Sequence, residues 1–292
     1  MRNTTAKTSR KQNVLAAALL AALAIAGADA CAQTVTATED AAGKQAQANP
    51  QSDEELAKAA LNPIAALVSV PIQYNYDQNI GLKQDGHKNY VNLQPVIPIS
   101  INQDWNLISR TIVPLIDLDL GAAGSRSGIG DVTESLFFSP KALTESGWTW
   151  GVGPVIYMDT ASNDLGANKW GLGPTGVFLK QEHGWTYGAL LNHIWSTGGS
   201  GKADINNTFM QPFLEYTNKY LTSFILQTET TYDWTRDQWS VPIHFLVSQF
   251  FKVGDQKMTF QVGARYWAAS PDVAAHGWGA RATLTLLFPA AK

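Results

Sequence analysis

Five histidines, His87, His183, His193, His244 and His276, are the natural place to look for acid–base or metal chemistry in this 292-residue chain. A hydrolytic site needs a hydroxyl or thiol nucleophile beside an imidazole, and a metal site needs ligands recurring at short spacing. Neither pattern stands out. His87, His183 and His276 fall in connecting segments, where a solvated surface role is the default. His193 lies two residues before Trp195 and three before Ser196, a setting that suits an interfacial side chain better than a base. His244 has no evident nucleophile near it. The glycine strings Gly128-Ile129-Gly130 and Gly171-Leu172-Gly173 resemble pieces of a dinucleotide loop, but no helical pattern follows them. The expectation is therefore no catalytic residue, no cofactor and no metal ligand.

A different set of polar residues recurs at every second position between apolar neighbours. Gln73 and Asn75 alternate with Ile72, Tyr74 and Tyr76, and Asn92 and Gln94 alternate with Val91, Leu93 and Pro95. Arg110, Asn192, Gln211 and Glu215 occupy equivalent positions further on. So do Gln227, Glu229, His244, Gln261, Arg265 and Arg281. A period of two places such residues on one face of an extended strand. If the opposite face meets lipid, an Arg or Lys there would cost about 2–4 kcal/mol near the midplane, so Arg110, Arg265 and Arg281 must point away from it. They would then face Glu215 and Glu229 across a lumen. Opposed basic and acidic walls either set up a transverse field that orients solutes and biases ion passage, or pair and brace the wall.

The elements that would carry this pattern are strands. Twelve segments can be marked, at roughly 66–76, 88–101, 105–116, 129–139, 147–159, 169–180, 185–196, 205–216, 220–232, 238–251, 257–268 and 278–288. Each is near or above the ~10 residues that a tilted strand needs to cross a bilayer. Links after even-numbered strands are short, as in Asn102-Gln103-Asp104 and Thr217-Asn218-Lys219. Most links after odd-numbered strands are longer, as in Asp77 to His87, Asp117 to Gly128 and Ala161 to Ala167; the link from Asp233 to Arg236 departs from this rule. Trp105, Trp148, Trp185 and Tyr220 directly follow short turns, while Trp170, Trp195, Trp234, Trp239, Trp267 and Trp278 lie near the longer links, which predicts two aromatic belts. The fourth strand breaks register: Asp131, Thr133 and Ser135 share one face and Glu134 the other. A bulge or an early loop end is needed there, and Gly128 and Gly130 permit one.

Composition agrees. The chain is 45% hydrophobic and only 15% charged, with 24 Gly, 10 Trp and 9 Tyr. Its mean hydropathy is nonetheless −0.12, as expected when lipid-facing and lumen-facing residues alternate. No apolar run in the mature sequence reaches the ~20 residues of a helical span. Residues 1–32 read as a Sec signal peptide, with basic Arg2, Lys7, Arg10 and Lys11 ahead of an apolar stretch from Val14 to Ala28. Cleavage after Ala32 competes with cleavage after Ala30, which would leave Cys31 at the N-terminus. The first is favoured, because lipoprotein signals usually place Leu where Ala28 stands and a small residue where Asp29 stands. It removes the sole cysteine and takes the 21 basic and 24 acidic residues to 17 and 23. That balance, without basic clusters, excludes nucleic acid as a partner. Residues 33–65 form a leader with one short helix around Asp53 to Leu61, ended by Pro63, which could plug a barrel or stay undocked; the barrel is expected over 66–289.

Several stretches resemble the outer-membrane family known as MetA-pathway of phenol degradation. They include Leu56-Ala57-Lys58 with Asn62-Pro63, Leu67-Val68-Ser69-Val70-Pro71, Leu93-Gln94-Pro95-Val96-Ile97-Pro98-Ile99 and the distinctive run from Asp104 to Leu115. Gly128-Ile129-Gly130-Asp131, Trp150-Gly151-Val152-Gly153-Pro154, Lys169-Trp170-Gly171-Leu172-Gly173-Pro174, Gln211-Pro212-Phe213 and Leu287-Phe288-Pro289 add to it. The resemblance implies an outer-membrane channel or transporter, with aromatic compounds suggested by the family name, and it brings no catalytic residues. The combined expectation is an all-β protein: a 12-stranded antiparallel transmembrane barrel with a short N-terminal helix, in contact with outer-membrane lipid. Its work would be passive or facilitated passage of small solutes. The alternatives are a structural or adhesive barrel and, third, a lipid-modifying enzyme.

Overall fold

The computed structural model describes residues 52–201 and 203–288. The expected signal peptide, and the leader as far as residue 51, lie outside the described residues. Helix α1 (Asp53–Ala60) opens with a capping box, in which the Ser52 side chain accepts from the Glu55 amide and the Glu55 side chain accepts from the Ser52 amide. Three acidic residues in its first turn suit the positive end of the helix dipole.

Twelve antiparallel strands follow. They are β1 (Val68–Ile80), β2 (Gly86–Leu93 and Val96–Ser100), β3 (Trp105–Asp119) and β4 (Ser125–Ile129 and Val132–Pro140). Next come β5 (Trp148–Met158), β6 (Trp170–Glu182), β7 (Trp185–Gly198) and β8 (Asn206–Thr217). The last four are β9 (Thr222–Thr228 and Thr230–Asp233), β10 (Gln238–Val253), β11 (Gln256–Ala269) and β12 (Gly277–Phe288). Each strand pairs with its sequence neighbours, and β1 pairs with β12 from Val68↔Phe288 to Tyr76↔Ala280, so the sheet closes. Closure leaves no row of unpaired backbone donors along an edge, the condition for a sheet to sit in hydrocarbon.

Breaks in the ladder fall beside prolines. The two runs of β9 keep one register against both neighbours, and the break at Glu229 lies opposite Pro242 on β10 and one position along from Pro212 on β8, neither of which has an N–H to give. In β4 the partners on β3 shift by one residue between Leu115↔Ile129 and Ile112↔Thr133, with the bulge at Gly130-Asp131. The bulge buries Asp131 and Ser135 and leaves Glu134 on the same outer face as Phe138, opposite Thr111. There its carboxylate accepts from the hydroxyls of Ser109 and Thr111.

The first two long-side links are shorter than the sequence suggests. β1 runs on to Ile80 and β3 to Asp119, so Asp77 and Asp117 belong to strands and the connections reduce to tight hairpins. Polar residues such as Asp77-Gln78-Asn79 look like loop, but cross-strand pairing with β2 holds them extended.

Outward-facing residues are apolar around the wall, among them Ile99, Phe138, Val152, Leu172, Phe224, Phe245 and Phe260, all exposed. A surface of this kind would drive aggregation in water and is the normal exterior of a barrel in lipid. Trp170, Trp195, Trp234, Trp239 and Trp278 are exposed near the long-link end, and Trp185 and Tyr220 near the short-turn end. Trp267 departs from this belt: its indole turns inward and donates to the Asp77 carboxylate at 2.9 Å.

Candidate functional site: the barrel interior

Inward-facing side chains form two layers. Toward the short-turn end, Ile64 from the segment after α1 packs among Val96, Ile108, Phe137, Val177, Leu179, Leu190 and Phe213. Leu56 and Ala57 of α1 pack with Leu67, Phe250 and Leu287. Lys252 Nζ meets Asp53 Oδ1 at 2.7 Å, and Gln181 Nε2 donates to the Lys58 carbonyl at 3.0 Å. The helix is therefore docked across this mouth of the barrel, and the chain behind it fills part of the interior.

Above that apolar layer lies a polar belt. Arg281 on β12 donates from Nη1 and Nη2 to the two oxygens of Glu229 at 2.6 and 2.8 Å, and from Nε to Asn75 Oδ1 at 2.8 Å. Such a fork-to-fork pair fixes both partners in plane. The break in β9 lies at Glu229 itself. Gln227 Nε2 donates to Glu229 Oε1 and Gln211 Nε2 to Gln227 Oε1, each at 3.3 Å, while Gln73 Nε2 reaches Asn75 Oδ1 at 3.5 Å. One hydrogen-bonded chain thus runs from β8 through β9 and β12 to β1. His244 is fully buried 3.7 Å from Glu229, and neither ring nitrogen has a hydrogen-bond partner among the described residues.

A second cluster sits around Arg265. Its Nη2 is 2.6 Å from Asp77 Oδ1, its Nη1 donates to the Tyr90 hydroxyl at 2.8 Å, and its guanidinium lies 5.7 and 5.5 Å from the Tyr90 and Trp267 rings. The Lys88 ammonium lies 4.5 Å from the centre of the same Tyr90 ring. Arg110 donates to Gln94 Oε1 at 2.8 Å, and among the described residues no carboxylate lies within ion-pair distance of it. Its charge is thus balanced only at long range.

Compared with the expected opposition of three arginines to Glu215 and Glu229, the pairing is different. Glu229 takes Arg281, Arg265 takes Asp77, and Glu215 is buried with its Oε2 unpartnered among the described residues. Gln261 accepts from Thr283 at 3.4 Å within the wall. Asn92 lies opposite Gln73 and Pro114, and Asn192 opposite Thr175 and Phe209, outside both clusters. Asp77, Lys88 and Tyr90 were missed by the sequence reading. The signal was present, since Asp77 continues the alternation of Gln73 and Asn75, and Lys88 and Tyr90 continue that of Asn92 and Gln94.

On the outer face, His193 Nδ1 and Thr208 Oγ1 are 2.7 Å apart, and Trp234 Nε1 donates to the same hydroxyl at 2.8 Å. The His193 ring is tilted by 49° against Trp195 with centroids 4.1 Å apart, and among the described residues its Nε2 has no hydrogen-bond partner. These contacts tie His193 and Thr208 into the aromatic belt at the long-link end. Among the described residues no group of three or more His, Cys, Asp or Glu is placed to hold a metal ion.

A family model described as MetA-pathway of phenol degradation matches residues 89–285, well over half of the chain. The chain belongs to that family. The MetA-pathway match starts in β2 and ends in β12, so it covers most of the barrel wall. No curated protein matches the chain. Among solved structures, the barrel is similar to the COG4313 outer membrane channel from Pseudomonas putida F1, at 16% identity and a TM-score of 0.59, covering 76% of this chain and 96% of that one. It is also similar to the NanC porin (11% identity, TM-score 0.47, covering 76% and 100%) and to outer membrane phospholipase A from Escherichia coli (10%, 0.45, 76% and 90%). At 16% identity the likeness to the first of these establishes a shared barrel fold alone, and function has to be argued from the interior.

Proposed function

We propose that this protein is an outer-membrane channel that carries small solutes down their gradients, with its short-turn end and α1 in the periplasm. The observation that carries the reading is the combination of a closed wall, apolar outside, with a charged and amide-rich belt inside. Paired charges also serve to brace a wall, but Arg110, bonded to a neutral amide with no ion-pair partner among the described residues, is left over from such bracing. Arg110, Arg265, Arg281, Asp77 and Glu229 provide that interior with positive and negative groups at fixed positions, and solutes passing them are sorted by charge and hydrogen bonding. Aromatic or otherwise hydrophobic compounds fit the family description and the apolar layer around Phe137 and Phe213. Export through a Sec signal peptide over residues 1–32 belongs to the same reading.

Buried His244, Asn75 and Arg265, together with the docked helix, favour a state in which the passage is narrowed at rest. The decisive experiment is single-channel recording of purified protein in planar bilayers, combined with swelling of proteoliposomes in sugars, amino acids and phenolic acids. Discrete conductance steps with solute-dependent swelling are expected. A silent protein in both assays overturns the channel reading in favour of a structural barrel, and release of fatty acid from phospholipid would instead mark an enzyme.

A further inference from the structure

Of the three inward arginines, two are spent on the wall. Arg265 and Arg281 are 1% and 3% exposed, and each lies against a carboxylate, Asp77 and Glu229 respectively. Arg110 differs on both counts. It is only half-buried, and its one side-chain bond among the described residues runs from Nη2 to the neutral Gln94 amide. Its Nε and Nη1 make no bond to the protein, and they are not sealed from the passage as Nε of Arg265 is. Gln94 is itself buried, so it fixes the guanidinium in place without neutralising it.

Candidate counter-ions are committed elsewhere. Glu229, whose field reaches Arg110, is held by both Nη groups of Arg281. Glu134 stands one position from Ser135, the residue opposite Arg110, but it faces outward and accepts from Ser109 and Thr111. The inner face around Arg110 offers further donors. Thr133 lies opposite Ile112 on β4 and therefore shares that face, and Asn92 follows on β2 toward the long-link end. Both are half-buried and make no side-chain hydrogen bond among the described residues. Further along β2, Lys88 lies over the Tyr90 ring, while the carboxylate opposite it, Asp77, is taken by Arg265. The inner wall of β2 to β4 thus carries two cations without an ion pair among the described residues, with an amide and a hydroxyl between them.

We propose that Arg110 anchors a binding site in the lumen for a small carboxylate, held through the guanidinium N–H groups that Gln94 leaves unused. Gln94 takes one hydrogen, which leaves a complete N–H fork, and a planar carboxylate matches that fork with two parallel bonds. A guanidinium without a counter-ion carries an uncompensated desolvation cost, and an anion beside it recovers part of that cost. Lys88 lies on the way in from the long-link end and attracts the same charge. The site deepens the channel reading by naming a solute class, and only the onward passage of that solute rests on the reading.

The test uses the purified full-length barrel in uncharged detergent micelles and fluorine NMR of trifluoropropionate, with trifluoropropionamide as the neutral isostere and empty micelles as the blank. Saturable broadening is expected for the carboxylate, with roughly tenfold weaker binding of the amide. Acetate should displace the probe at concentrations where chloride does not, because chloride cannot span the fork. Arg110→Gln should remove the preference for carboxylate over amide, and Arg110→Lys should keep a reduced one. Lys219→Gln removes the same charge from a turn outside the lumen and should leave binding unchanged. Circular dichroism identifies a variant that has failed to fold, in which case the ligand series on the wild-type protein decides alone. Equal affinity for carboxylate and amide, displacement by chloride as readily as by acetate, or an equal loss in Lys219→Gln overturns the proposal. Conductance of the wild-type protein is read separately: steps without carboxylate binding sink this site and leave the channel, and binding without steps does the reverse.

Discussion

At the scale of single residues, the interior is governed by which charges find partners. Arg281 and Glu229 form a two-bonded pair inside a barrel wall, where removal of one partner strands the other. Arg281→Met and Glu229→Gln are each expected to destabilise the folded barrel by about 3–5 kcal/mol, and the double variant by clearly less than the sum, measured by urea unfolding in micelles. Additive losses would show the pair to be incidental. Arg110 differs because its bond is to a neutral amide. If the channel conducts, Arg110→Glu should shift the reversal potential in a potassium chloride gradient toward cations, by several-fold in permeability ratio, while an unchanged potential would remove Arg110 from the ion path. Outside the spanning segments, hydrogen bonds from Lys169 and Ser196 hold the Asp204 carboxyl below its usual range. A depressed carboxylate gives stability that is present at neutral pH and lost as pH falls through the folded value. The link from 199 to 205 should therefore exchange its amide hydrogens faster in acid than the strands beside it do, and uniform acceleration would discount the contact.

At the scale of elements, α1 is held by a few side chains rather than by a ladder. Leu56 is wholly buried against Phe250 and Leu287, and one ion pair and one side-chain bond complete the attachment. Leu56→Asp places a carboxylate in that contact and should release the helix at a cost of about 2–4 kcal/mol to its docking, leaving the wall intact. The observable is a larger or longer-lived conductance step with unchanged strand content by circular dichroism. A step identical to wild type would mean that the helix does not limit passage. The bulge in β4 acts at the same scale. It reconciles a buried Asp131, which anchors the outer links, with a lipid-side Glu134 held by two hydroxyls.

For the whole molecule, the decisive quantity is the fate of the backbone's polar groups. With β1 paired to β12, every strand has two neighbours, and the apolar exterior requires an apolar solvent. Dilution of the urea-unfolded chain into micelles should restore a barrel that migrates faster on gels before boiling than after. Dilution into plain buffer should give aggregate, and a soluble folded monomer there would contradict the membrane assignment.

Much of this architecture is legible in the sequence, because alternation of apolar and polar residues is a local property and twelve such runs, separated by turns, leave few other ways to hide both faces. Gln73, Asn75 and Arg281 declare their side of the wall in this manner, as does the break in register around Asp131. What the sequence by itself could not decide is anything that depends on which strands meet across the closure. Arg265 pairs with Asp77 and Arg281 with Asn75 and Glu229, contacts that span 188, 206 and 52 positions along the chain. The inward turn of Trp267 and the docking of α1 belong to the same kind. Composition says which side chains avoid lipid, but only a ring of fixed stagger brings particular ones within hydrogen-bond reach.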